Sequence, residues 1–419
     1  MKLLVDNSGY HLLNLGDVCM LQSGVRRLQE LWPAAEIGVL TMSPERLASV
    51  VPGVRALSAS GKHMLVGAGT MLPGLGRLLG AQAGRIEHNL RVTVPKLSRA
   101  WTSGLATLRG QPTGDYHELQ TFMKSTDAVV ALGGGFLTDS FHSHAISTLR
   151  LLELAMALGK PTAIFGQGIG PITCPDLEAM AARVLPRLDY VGLRESLTAM
   201  PLLQRYGVPE SRIALTGDDA VETVFQHRAT TLGDAVGLNV RVADYSGMRR
   251  DLAATACEVV SKVATAKGAR ILPVPISLHQ ADSDIRAIQD LLALKHEDTA
   301  GIHDSEDVIH QAGRCRVVVT GSYHGSIFAL SQGVPVVTLV ASDYYRSKFE
   351  GVANVFSVGC EVVVVEDGFE KRLEHILGKT WDAAPLLRGP LLDSARRQIA
   401  MGRAAYDAFG RIVMHRGAP

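Results

Sequence analysis

Short apolar strand candidates alternate with helical patterns along almost the whole chain. This alternation limits the available folds more than any other feature, because it is the signature of a parallel, doubly wound sheet. Leu3-Leu4-Val5 leads to a helix candidate over Val18–Leu31, and Ile37–Leu40 is the next strand. Ala128–Leu132 runs into three glycines, a helix candidate covers Ser147–Leu158, and Thr162–Phe165 follows as a strand. Tyr190–Leu193 and Ile213–Leu215 end in polar residues. The pattern restarts at Ala235–Val240 and repeats with helix candidates Asp251–Lys267 and Ser283–Leu294 and strands Ala269–Val274, Arg316–Val319 and Val334–Leu339.

At 419 residues the chain exceeds one ordinary core and suits two domains of about 200 residues each. The restart places the boundary near 225–234. The expected division is a first Rossmann-like lobe over 1–230, a second over 231–385, and a helical segment over 386–419 that packs back on the first lobe and is broken at Gly389-Pro390. The stretch Met64–Leu108 mixes Gly, Leu and Arg; it reads as an inserted helical pair or a loop, with an amphipathic element on a membrane surface as the alternative.

A net charge of +1 with dispersed basic residues gives no field for nucleic acid. Five widely spaced cysteines without a C-x-x-C pair predict a reducing compartment, no disulfide framework and no zinc site. The N-terminus reads as a strand rather than a signal peptide, and no apolar run of about 18 residues predicts a membrane span. A cytoplasmic protein, in contact with a membrane surface at most, is expected; a homo-oligomer is compatible with this reading.

In open α/β sheets ligands bind beyond the carboxyl ends of the strands, so residues that follow strands belong to one candidate site. They include Asp17, Gly134, Gln167, Arg194 and His324. The strongest local unit is Thr320–Val337: an apolar strand, a turn of small residues, His324 where a helix begins, Gly333 where it ends, and a further strand. Such a unit aims a helix N-terminus at an anion. His324, flanked by Ser322 and Ser326, suits an anion site or a proton donor; a structural histidine is the plainer reading. Gly133-Gly134-Gly135 and Gly166-Gln167-Gly168-Ile169-Gly170-Pro171 are ligand loops or structural turns. Arg194 holds a carboxylate or phosphate, or pairs locally with Glu195. His142 and His144 lack carboxylates at ligand spacing apart from Asp139, so no metal is expected. Tyr344-Tyr345-Arg346-Ser347-Lys348 supplies two cations or forms a solvated loop.

Taken in order, these motifs resemble the polysaccharide pyruvyl transferase family. The matching pieces are Asn14–Asp17, Leu132–Gly135, Gly166–Pro171, Leu193–Ser196, Thr216–Ala220, Gly321–Ala329 with Gly333-Val334-Pro335, and Tyr345 with Lys348. The resemblance implies an α/β fold of two Rossmann-like lobes facing across a cleft, similar to GT-B glycosyltransferases. It implies transfer of the enolpyruvyl unit of phosphoenolpyruvate to a sugar diol as a cyclic ketal, with release of phosphate and with no cofactor beyond this co-substrate. The acceptor would be a sugar of a cell-surface polysaccharide or its precursor, including a lipid-linked one. Carried onto this chain, His324 is the acid and Arg194 a donor anchor; beside them, Asp17 is expected as the base that activates a sugar hydroxyl. Ser322, Tyr323, Ser326, Arg346 and Lys348 are expected on the donor side; Asn14, Gly133, Gly134, Gly135 and Gln167 on the acceptor side.

One departure matters. The family's Arg-x-His motif reads Ser322-Tyr323-His324 here, so one donor cation is missing or supplied elsewhere. Arg314, Arg316, Arg346 and Lys348 are the candidates, with Lys348 or Arg346 expected to substitute. Two rivals stand beside this reading: a GT-B glycosyltransferase using a nucleotide sugar, and a non-catalytic relative that binds a sugar or anion.

Overall fold

A computed structural model describes residues 1–67, 81–110, 112–242, 246–280, 283–292 and 301–417. Two parallel sheets organise it. The first has the order β3-β2-β1-β4-β5-β6-β7, with strands Lys2–Asn7 (β1), Glu36–Thr41 (β2), Arg55–Ser58 (β3), Ala128–Leu137 (β4), Thr162–Ile169 (β5), Tyr190–Leu193 (β6) and Ile213–Leu215 (β7). The second has the order β12-β11-β10-β8-β9, with Ala235–Asn239 (β8), Ile271–Pro273 (β9), Cys315–Thr320 (β10), Val336–Val340 (β11) and Cys360–Val364 (β12). Both strand orders reverse around β1 or β8, where ligand crevices form in such sheets. The strands are continuous apolar runs because helices cover both faces.

The glycine runs are strand, not terminal turns. Strand β4 continues through Gly133-Gly134-Gly135 to Leu137, and β5 through Gly166-Gln167-Gly168 to Ile169, with a register shift between Gly134 and Leu137. Gly133 and Gly134 have φ of 49° and 109°, which a side chain would resist. The inserted stretch is helical on either side of 68–80, which lie outside the described residues: Ala59–Val66, then Ala81–Thr93 and Pro95–Leu108.

The Leu15–Leu31 helix belongs to the first sheet but is buried on both sides. Leu15, Cys19 and Met20 pack with Tyr323, Ile327 and Phe328 of the second lobe, while Val18, Leu21 and Val25 pack under β1 and β4. The backbone joins the lobes here too: Leu15 N–H donates to Ile276 O at 2.9 Å, and Leu278 N–H to Leu13 O at 2.8 Å.

The C-terminal segment differs from expectation. A single helix runs from Glu370 to Gly417, straight through Gly389-Pro390. Its start packs on the second lobe through Leu373, Leu377 and Trp381, and its end on the first through Tyr406 and Phe409. A mid-helix proline normally orphans the carbonyl one turn earlier. For Pro385 that carbonyl is Trp381 O, and Arg316 Nε donates to it at 3.0 Å. The carbonyl one turn before Pro390 belongs to Leu386, a strongly exposed residue at which solvent can reach the backbone. Further along, Arg27 is buried between Asp219 (2.5 Å) and Glu222 (2.8 Å), with Tyr406 Oη donating to Asp219 at 3.1 Å and Arg403 bonded to Glu222. A buried cation survives only with such partners.

Candidate active site

A cavity of about 170 Å³ opens where the carboxyl ends of the two sheets face each other. From the first lobe it receives Asn14, Asp17, Gly135 and Arg194; from the second it receives Arg241, Ser322, Tyr323, His324 and Lys348.

The second-lobe wall begins at β10. Thr320 Oγ1 accepts from Ser322 N–H at 2.9 Å and donates to Ser322 O at 3.1 Å, fixing the turn. The Tyr323–Leu330 helix follows, with Ser322 at its N-cap and no side-chain cap bond there. His324 leans on the first lobe: a Cβ built on Gly16 would lie 2.0 Å from His324 Cγ, so only glycine fits. Asn14 Oδ1 caps the opposing helix by accepting from Gly16 and Asp17 N–H at 3.1 and 3.2 Å. The Asn14–Asp17 motif thus seats one helix start against another.

Arg194 leaves the end of β6 and is buried. Its guanidinium lies 3.8 Å from the centre of the Tyr323 ring, and Nη1 is 3.6 Å from Asp218 Oδ2. His324 Nε2 is 3.7 Å from the same oxygen. Asp218 therefore sits between the two groups expected to act on the donor. The local pairing with Glu195 does not form, because Glu195 accepts from Thr198 N–H instead. A Cβ on Gly135 would fall 2.4 Å from Arg194 Nη2 and 2.9 Å from Lys348 Nζ. One on Gly168 would fall 2.8 Å from Arg194 Nε. These glycines make room for two cations.

Electrostatics follow from burial. Burial pushes the Asp218 carboxyl up, but His324 and Arg194 outweigh it and hold it below the ordinary carboxylate range. At Asp17 burial wins over the pull of His324, and the carboxyl is raised. Burial, reinforced by Arg194, holds Lys348 well below the usual lysine range. Burial also lowers His144 to about 4, so it faces the cavity as a neutral ring beside Tyr10 and Phe136.

Several expected site residues are used elsewhere. Gln167 is fully buried and donates to Gly133 O at 2.9 Å, bracing β5 against β4. Gly133 faces Met20 and Gly134 faces Ser8, so of the three glycines only Gly135 lines the cavity. Ser326 Oγ donates to Tyr323 O at 2.6 Å within its own helix. Arg346 points away: positions 346 and 348 lie about 200° apart on a helix, and Arg346 is exposed beside Asp343. Arg314 bonds Gln311, and Arg316 serves the C-terminal helix. His142 turns to Asp176 at 2.9 Å and shares no partner with His144. Among the described residues no group of three or more His, Cys, Asp or Glu is placed to hold a metal.

Two residues escaped the sequence reading. Asp218 lay within a quoted motif without a role. Arg241 follows β8, and its backbone and Cβ lie 3.2–3.3 Å from the position a Cβ on Gly321 would take, directly beside Ser322. Arg241 Nη1 donates to buried Asp284 at 2.9 Å. An arginine two residues beyond a strand was the available signal.

The two sheets facing across a cleft define a two-lobed α/β protein with a GT-B-like architecture. Solved structures share it over nearly the full length: UDP-GlcNAc 2-epimerase from Neisseria meningitidis bound to UDP-GlcNAc (TM-score 0.54, 13% identity, 99% of each chain), the MnaA–UDP co-structure of S. aureus (0.58, 12%, 99% of this chain and 96% of that one) and a glycosyltransferase from Rickettsia africae (0.52, 9%, 99% and 98%). At these identities the likeness is one of fold. No curated protein matches significantly in sequence. The family model for polysaccharide pyruvyl transferase matches residues 14–344, and the chain belongs to that family.

Proposed function

We propose that this transferase moves the enolpyruvyl unit of phosphoenolpyruvate onto a sugar diol of a cell-surface polysaccharide or its lipid-linked precursor, forming a cyclic ketal. The observation that carries this reading is the convergence of Arg194 and Lys348 on Gly135, opposite His324. A small donor bearing both a carboxylate and a phosphate needs at least two such anchors.

In the proposed reaction the donor methylene gains a proton from His324 and becomes a methyl. One sugar hydroxyl adds to the central carbon, and a second displaces phosphate and closes the ring. The two hydroxyls release two protons; one replaces that taken from His324 and the other leaves with phosphate. Asp17, whose carboxyl has raised proton affinity, is the base for the first hydroxyl. Asp218 orients His324 and Arg194. Arg241 takes the place of the arginine that Ser322 lacks, reaching the same turn from the neighbouring strand.

The test is thermal stability with phosphoenolpyruvate, uridine diphosphate or phosphate, on wild type and His324→Ala. A ligand at about 100 times its dissociation constant stabilises the fold by roughly 2.7 kcal/mol. Stabilisation by phosphoenolpyruvate that His324→Ala loses is the expected result. Stabilisation by the nucleotide alone would replace this reading with a nucleotide-sugar transferase.

A further inference from the structure

The Pro95–Leu108 helix is amphipathic the wrong way round. Its polar Ser98 and Thr102 are 3% and 2% exposed, whereas Leu97, Trp101 and Leu108 are 68%, 52% and 85% exposed. At about 100° per residue the three exposed apolar positions fall within about 40° of one another, and Ser98, Thr102 and Ala106 lie on the other side. Val94 and Ile86, each 40% exposed, extend the apolar surface at the helix start and on the preceding helix. A helix that serves only its own core does the opposite.

The exposed charges carried by these two helices have one sign. Between Glu87 and Asp115 the sequence carries Arg91, Lys96, Arg99 and Arg109 and no carboxylate. Glu87 is buried beside Arg91. Among the described residues of the Ala81–Thr93 and Pro95–Leu108 helices and the Arg109 cap, the exposed charges are Arg85, Lys96 and Arg109. Lys96 and Arg109 fall on opposite flanks of the stripe, where long basic side chains reach headgroups while the apolar face sinks in. Tryptophan is the residue suited to the boundary between headgroups and chains.

We infer that the exposed face of the Pro95–Leu108 helix docks this protein on an anionic lipid surface, with Leu97, Trp101 and Leu108 inserted and the flanking cations on the headgroups. A second protein copy fits less well, because two such faces would bring like charges together. The inference does not depend on the donor chemistry; it would set the cleft beside any lipid-linked acceptor.

The experiment is flotation of the full-length protein with vesicles of phosphatidylcholine alone or with about one-third phosphatidylglycerol. Binding to the anionic vesicles only, weakened by salt and reduced about tenfold or more in Leu97→Glu/Trp101→Glu, is expected. Both positions are exposed, so the variant should retain the wild-type melting temperature; this is checked first. Trp101 gives a second readout, because Trp32 and Trp381 pack against the two cores. Its emission should shift to the blue on anionic vesicles, and Trp101→Phe should lose the shift. Absence of binding by wild type would overturn the inference. So would binding that survives the double substitution, or a dimer in sedimentation that the double substitution dissociates.

Discussion

His324 Nε2 lies 3.7 Å from Asp218 Oδ2, and neither atom has a hydrogen-bond partner among the described residues, although Arg194 Nη1 stands 3.6 Å from the same oxygen. The distance exceeds a hydrogen bond but keeps the pair within strong electrostatic reach across the lobe boundary. Asp218→Asn keeps the shape and removes the charge. Turnover should fall on the order of a hundredfold while the melting temperature changes little by comparison. Steady-state kinetics with phosphoenolpyruvate and calorimetry decide it; full activity would remove Asp218 from the site.

Gly16 is a point of close approach between the lobes. A Cβ there would overlap the His324 ring at 2.0–2.4 Å, so Gly16→Ala must displace the ring or separate two helix starts. A destabilisation of about 1–3 kcal/mol, typical of overpacking, is expected in denaturant titration. The phosphoenolpyruvate-dependent thermal shift should vanish with it.

If Arg241 supplies the cation missing at Ser322, Arg241→Ala should weaken donor binding roughly 10- to 100-fold, the worth of one charge-assisted hydrogen bond. Ser322→Arg in that background should restore much of the loss. Isothermal titration of both variants tests the pair. Equal binding by wild type and Arg241→Ala would sink the assignment.

Asp219 sets a pH dependence of stability. Burial, with Asp218 adding to it, raises its carboxyl to about 6 despite the opposing Arg27. A raised folded value means that protonation stabilises the fold. That contribution is complete below the unfolded value of about 3.9 and is lost as pH rises through about 6. The difference in melting temperature between wild type and Asp219→Asn should therefore change most between about pH 4 and 7. A difference that stays flat across this window would refute it.

Much of the architecture was legible locally. Strand–helix alternation gives a parallel sheet because each period is written in neighbouring residues, and the ordered motifs pointed to the family that the match over residues 14–344 establishes. Site membership was less legible. Gln167 lies within β5 and Ser326 just beyond β10, yet each finds a backbone partner within its own lobe. Arg346 and Lys348 sit two apart in sequence and on different sides of one helix.

By itself, then, the sequence determined most strands and most helices, since these depend on short-range sterics and hydrophobic period, while the glycine runs read as loops or turns became strand. Only the tertiary structure decided which polar groups share a cavity. Asp218, Arg241 and His324 are distant in the chain, and their meeting depends on how the Leu15–Leu31 helix wedges between two cores. It likewise decided that the C-terminal helix survives Pro385, because the carbonyl that proline orphans finds Arg316 from the second sheet, a partner no local pattern records.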